Sequence, residues 1–118
     1  MTRRIALSLI VALLALVPTI ADAQVTARGR ITLLRVHDVM TAYGPPNDRI
    51  DVEVVVQIDT QPGKAFGFQL RTDPKLPARQ AMLDLLRDAY ANNQVVTFDH
   101  MTPAGKNNGI IIRVWLAR

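Results

Sequence analysis

Ile50-Asp51-Val52-Glu53-Val54-Val55-Val56-Gln57-Ile58-Asp59 is the stretch on which the fold reading turns. Ile50, Val52, Val54, Val56 and Ile58 share one parity, and Asp51, Glu53, Val55, Gln57 and Asp59 share the other. A period of two over this length predicts a half-buried antiparallel strand with a solvated polar face.

Upstream, Gly29 to Val36 forms a second β-rich run, with Ile31 and Leu33 on one parity and Leu34 and Val36 on the other. A parity switch inside a strand predicts a bulge or sharp bend. Between the two runs, Thr41-Ala42-Tyr43-Gly44-Pro45-Pro46-Asn47-Asp48 holds two prolines and a glycine together, so it reads as a hairpin loop. Downstream, Gln61-Pro62-Gly63-Lys64 has Pro and Gly at the centre of a type II turn. The turn leads into Ala65 to Arg71, with Phe66, Phe68 and Leu70 on one face.

The period then changes. From Pro74 to about Ala91, the residues Ala78, Met82, Leu85, Leu86, Ala89 and Tyr90 recur at helical spacing, opposite Arg79, Asp84, Arg87 and Asp88. Asp73 is the expected N-cap with Pro74 at the first helical position, unless Pro77 moves the start later. Asn92-Asn93 is the expected stop. After it come Val95 to Met101, the polar turn from Pro103 to Gly109, and Ile110 to Leu116, in which Ile110, Ile112, Val114 and Leu116 share a face.

The order is strand, strand, strand, helix, strand, strand. It predicts a mainly β domain with one helix, a five-stranded Greek-key OB-fold barrel whose helix plugs one end. No helix separates the early strands, which disfavours a Rossmann-like sheet. An open antiparallel sheet with the helix on one face is the alternative.

The first 23 residues read differently. Met1-Thr2-Arg3-Arg4 is followed by an apolar run from Ile5 to Val17, then Pro18-Thr19-Ile20 and the small-residue site Ala21-Asp22-Ala23. Cationic start, apolar core and small residues before a cut are the parts of a cleaved secretory signal. A membrane span would need about 20 apolar residues, and Pro18 ends the helix sooner. The expected division is 1–23 signal peptide and 24–118 one domain, working in the periplasm or secreted, with no membrane anchor after cleavage. The chain has no cysteine, so no lipid anchor and no disulfide, and its core must hold it, helped by self-association. Loss of Arg3, Arg4 and Asp22 takes the formal charge from +4 to +3, with no basic stripe for nucleic acid.

Gly29-Arg30-Ile31, Phe66-Gly67-Phe68, Ala81-Met82-Leu83-Asp84-Leu85-Leu86 with Ala89-Tyr90-Ala91, and Val114-Trp115-Leu116, in this order of elements, resemble small secreted bacterial proteins similar to the B subunit of subtilase cytotoxin. The resemblance spans most of residues 24–118. It implies an OB-fold, ring-shaped oligomers and recognition of sialylated cell-surface glycans.

The residues themselves argue against catalysis. The sole serine is Ser8, and no threonine sits in an elbow or beside a histidine. Asp51, Glu53 and Asp59 share a parity and support only a weak hydrolase reading. His37-Asp38 and Asp99-His100 each split across two faces of a strand, the histidines fall far apart in an OB arrangement, and each reads as a surface or strand-end residue. No cofactor or metal motif is present. The expectation is a non-enzymatic domain that binds a protein partner or itself. A glycan-binding, toxin-like subunit is the alternative. The candidate binding residues are Tyr43 in the long loop, Trp115 on the outer face of the last strand, and Arg71.

Overall fold

The computed structural model describes residues 24–118, and the segment read as a signal lies outside the described residues. Five strands and one helix follow the expected order: β1 Gln24–Val36, β2 Val54–Ile58, β3 Phe66–Phe68, α1 Leu76–Ala91, β4 Val95–Met101 and β5 Gly109–Trp115. They close into a barrel in the sequence β1-β2-β3-β5-β4. All neighbours are antiparallel except β3 and β5, which run parallel. This is the OB-type barrel that the alternating pattern predicts.

One long strand makes the closure. The first half of β1 pairs with β4, from Gln24 opposite Met101 to Arg30 opposite Val95, and its second half pairs with β2, from Ile31 opposite Ile58 to Val36 opposite Val54. Gln24 to Arg28 therefore belong to β1, which starts earlier than the run at Gly29 suggested. The register slips between Ile31 and Leu33, so Thr32 is the extra residue of a bulge, as the parity switch predicts. Ile31 and Leu34 consequently face the interior while Leu33 faces out.

The interior is built by Val54, Val56 and Ile58 of β2, Phe66 and Phe68 of β3, Val96 and Phe98 of β4, and Ile111 and Val114 of β5. Leu86 and Ala89 of α1 close over them. Tyr90, expected on the apolar side, is exposed instead, because the buried stripe of α1 is narrow and centred on Leu86 and Ala89. The helix begins at Leu76, with Lys75 at the N-cap position and Pro77 in the first turn. Asp73 is not the cap. Its carboxylate accepts from Lys75 N at 2.7 Å and its carbonyl from Leu76 N at 3.1 Å, bending the chain one turn earlier. The expected stop holds, with Asn92 N donating to Asp88 O and Asn93 at φ 48°.

The run from Ile50 to Asp59 is divided. Only Val54–Ile58 joins the ladder; Ile50 pairs with Tyr43 as an isolated bridge, Asp51 and Val52 lie outside any strand, and the chain bends at Glu53. The bend tucks Val52 against Gly67, and with Ile50, Val55 and Ala65 it forms a second apolar cluster on the outside of the barrel. Leu33, Tyr43 and Ile110 complete it. The β1–β2 loop thus covers the outer face of β2 and β3.

The last strand departs from simple alternation. His100 pairs with Ile111 and Asp99 with Arg113, so Ile112 is an extra residue. Ile111 and Val114 are buried, whereas Ile112 is 42% exposed, and the shared face expected for Ile110, Ile112 and Val114 does not form.

Candidate functional site

Each sequence-selected residue has a definite setting. Tyr43 is half-buried in the outer cluster, its hydroxyl accepts from Gln57 Nε2 at 3.3 Å, and the Arg35 guanidinium lies 5.6 Å from its ring centre. Arg71 is held by two carboxylates: Nη2 donates to Asp51 Oδ1 at 2.7 Å, while Nε and Nη2 donate to Glu53 Oε1 and Oε2 at 2.8 and 3.0 Å. The face expected to be solvated therefore contains Glu53 only 2% exposed, which is affordable because Arg71 and Leu70 N neutralise and hydrogen-bond its carboxylate. Asp59 is elsewhere, accepting from Arg30 N. Trp115 ends β5 opposite Thr97, half-buried. None of the three candidates lines the cavity at the end of β4.

That cavity follows from the path of the strands. Along β4, Phe98 and His100 share a parity and face inward, each packing at a tilt against Phe66: the Phe66 and Phe98 ring centres are 5.0 Å apart, and those of Phe66 and His100 4.5 Å. Asp99 faces outward, where Thr26 Oγ donates at 2.6 Å, Gln24 Nε2 donates at 2.8 Å, and Arg113 lies at 3.4 Å. The Asp99-His100 pair is divided between two faces, as alternation requires. His100 is nevertheless 7% exposed rather than a surface residue, because its face is the inner one.

Beyond His100 the barrel opens into a cavity of about 230 Å³. The β2–β3 turn contributes Gln61 and Lys64, and the β4–β5 loop contributes Thr102, Lys106 and Asn107; Val25 and Phe66 supply the apolar wall. Gly63, at φ 77°, makes the turn that brings Lys64 back to the rim. His100 Nδ1 is 2.8 Å from Thr102 Oγ1. Burial, reinforced by the Lys64 ammonium and opposed by Asp99, pushes the imidazole below its ordinary pKa and keeps it neutral.

The loop bordering this cavity is fastened to the loop covering β2 and β3. Asp48, buried, accepts from Asn107 N and Asn108 N at 3.1 Å each. Asn108 Nδ2 donates to Asp48 O at 2.9 Å while its Oδ1 accepts from Ala65 N at 2.9 Å. Lys106 Nζ donates to Asn47 O at 3.0 Å.

His37, the other sequence-selected histidine, is half-buried with Nε2 2.6 Å from Val52 O. Among the described residues no cluster of three His, Asp or Glu side chains could hold a metal ion. The cavity residues outside the Asp99-His100 pair carry no motif. Only the inward parity of His100 with Val96 and Phe98 could have pointed to this end of the barrel.

The depressed pKa has a measurable consequence. Neutral His100 favours the folded state above the unfolded pKa of about 6.5, and that contribution disappears as pH falls through the lower folded value. Melting temperatures measured from about pH 7.5 to 5.5 should fall more steeply for the natural protein than for His100→Gln. Parallel curves would remove the assignment.

The fold and this pocket define the class: an OB-type barrel with a small cavity at one end, apolar on one side and rimmed by polar side chains. Comparison with protein-family models, curated proteins and solved structures finds no match for this chain.

Proposed function

We propose that residues 24–118 act after export, in the periplasm or outside the cell, as a non-enzymatic binding domain that takes its ligand at the cavity beside His100. One observation carries the reading. The outer face of β2 and β3, which OB barrels commonly use for ligands, is occupied by the chain's own loop, while the end of the barrel stays open and gathers polar side chains from three elements. Of the three carboxylates on that strand face, Asp51 and Glu53 are committed to Arg71 and Asp59 lies apart from them on Arg30 N, which supports a binding role over a hydrolytic one.

The test is His100→Ala, alongside Trp115→Ala as the comparison. Ligand capture, scored by thermal shift against a panel of small metabolites and glycans, should be lost in the first and kept in the second. The reverse result would move the site to the outer strand face.

A glycan-binding subunit is the second reading. It is favoured by the two amide side chains, Gln61 and Asn107, on the cavity wall, since paired amides suit sugar hydroxyls. Binding on a glycan array, together with a multi-subunit mass by light scattering, would select it; a flat array from folded protein would discard it. Export has its own check. N-terminal sequencing of the protein recovered from the envelope or medium should begin at Gln24, and an intact Met1 would refute cleavage.

A further inference from the structure

The cavity has a chemistry more specific than polar. Among the described residues its charged lining is of one sign: Lys64 and Lys106 border it, and no carboxylate does. Neither lysine pairs with a carboxylate among the described residues, whose salt bridges all involve arginine. Lys106 spends one of its three donors on Asn47 O and keeps two. The carboxylate nearest in sequence to the imidazole, Asp99, is turned to the other face of β4 and satisfied there by Thr26 and Gln24. Two lysines bordering a partly enclosed space raise a positive potential that water screens less than at an open surface.

The imidazole adds a directional donor. With Nδ1 engaged by Thr102 Oγ1, Nε2 has no hydrogen-bond partner among the described residues and belongs to a side chain lining the cavity. If the threonine hydroxyl donates to Nδ1, the proton of the neutral ring resides on Nε2, available to an acceptor. The Phe66 ring and Val25 leave an apolar patch beside these donors. The volume, about 230 Å³, suits a small molecule or the terminal group of a larger one.

We infer that the cavity is a binding site for a small oxyanion, a carboxylate or phosphate group, held by Lys64, Lys106 and His100 with any carbon body lying on Phe66 and Val25. The inference rests on the assignment of the cavity as the binding site and names the class of ligand it takes.

The experiment is an NMR titration of the purified protein with acetate, benzoate, inorganic phosphate and, as a neutral comparison, methyl glucoside. Acetate, benzoate and phosphate should each shift the His100 ring and the Thr102 and Asn107 amides saturably. Tighter binding of benzoate than of phosphate identifies an organic carboxylate as the source, and the opposite order identifies phosphate. Lys64→Gln, which removes a charge from the rim without touching the core, should weaken binding about tenfold, the scale of one charge-assisted hydrogen bond. Methyl glucoside shifting these signals while the anions do not would overturn the oxyanion inference and leave the site standing. Anion shifts centred on Tyr43, Arg71 or Trp115 would overturn both. No saturable shift with any probe would overturn the oxyanion inference, as would unchanged affinity in a folded Lys64→Gln protein.

Discussion

Gly67→Ala is expected to destabilise the barrel by about 3 kcal/mol, the upper part of the range for forcing an extra methyl into packed structure. A Cβ at this position would run into Val54 O and lie 2.7 Å from Val52 Cγ2. The first of these is backbone in the ladder between β2 and β3, so no rotamer change can relieve it. The second belongs to the cluster by which the β1–β2 loop sits on the barrel, so the substitution pries that loop away. For a domain of this size the melting temperature should fall by about 15 °C. Gly63→Ala is the informative comparison, since nothing lies within 4 Å of its Cβ and only its φ of 77° is unfavourable. Its cost should be nearer 1 kcal/mol, about the penalty for a side chain in left-handed backbone. Equal effects at the two sites would show that the close approach at Gly67 is not what fixes the loop.

Asp48→Ala should cost about 2–4 kcal/mol, because two backbone donors, those of Asn107 and Asn108, lose their acceptor. Asn108 is buried, so water cannot simply replace the carboxylate there. The loss should be regional as well as global. Amide exchange ought to quicken at 107 and 108 and at Ala65, whose N–H depends on Asn108, before it quickens in the strands of the barrel. If exchange rose uniformly, or not at all, the two loops would not be a unit.

The architecture was legible because its strongest signals were local. Alternation in Val54 to Ile58, the Pro62-Gly63 turn and the helical stripe through Leu86 and Ala89 each arise from neighbours in sequence, and each appears where expected. The bulge in β1 was readable as a parity switch. The bulge in β5 was not, because Ile110, Ile111 and Ile112 are the same residue type and their order gives no hint which one is displaced. The break in the strand at residues 51–53 was hidden for a related reason: Val52 continues the alternation perfectly while packing on the outer cluster instead of the inner core.

The candidate site was less legible than the fold. Tyr43, Trp115 and Arg71 are conspicuous by residue type, but Tyr43 and Arg71 are occupied with partners of their own. The cavity draws on residues from Val25 to Asn107, brought together only when the barrel closes. Gln61, Lys64 and Lys106 look in sequence like ordinary turn residues. Their convergence is a property of the β2–β3 turn and the β4–β5 loop meeting at one end.

The long β1 strand also governs when this structure can exist. Its first half has no partner until β4 arrives, and Gln24 pairs with Met101, 77 residues later in the sequence. Such a pairing brings its stabilisation only after a large loop-closure entropy has been met, which makes folding slow relative to local hairpins. A chain emerging N-terminus first therefore keeps the first half of β1 unpaired until β4, through Met101, has emerged, and the cavity unformed until Asn107 follows. Late closure makes the barrel and the cavity at its end a joint outcome of the pairing between β1 and β4.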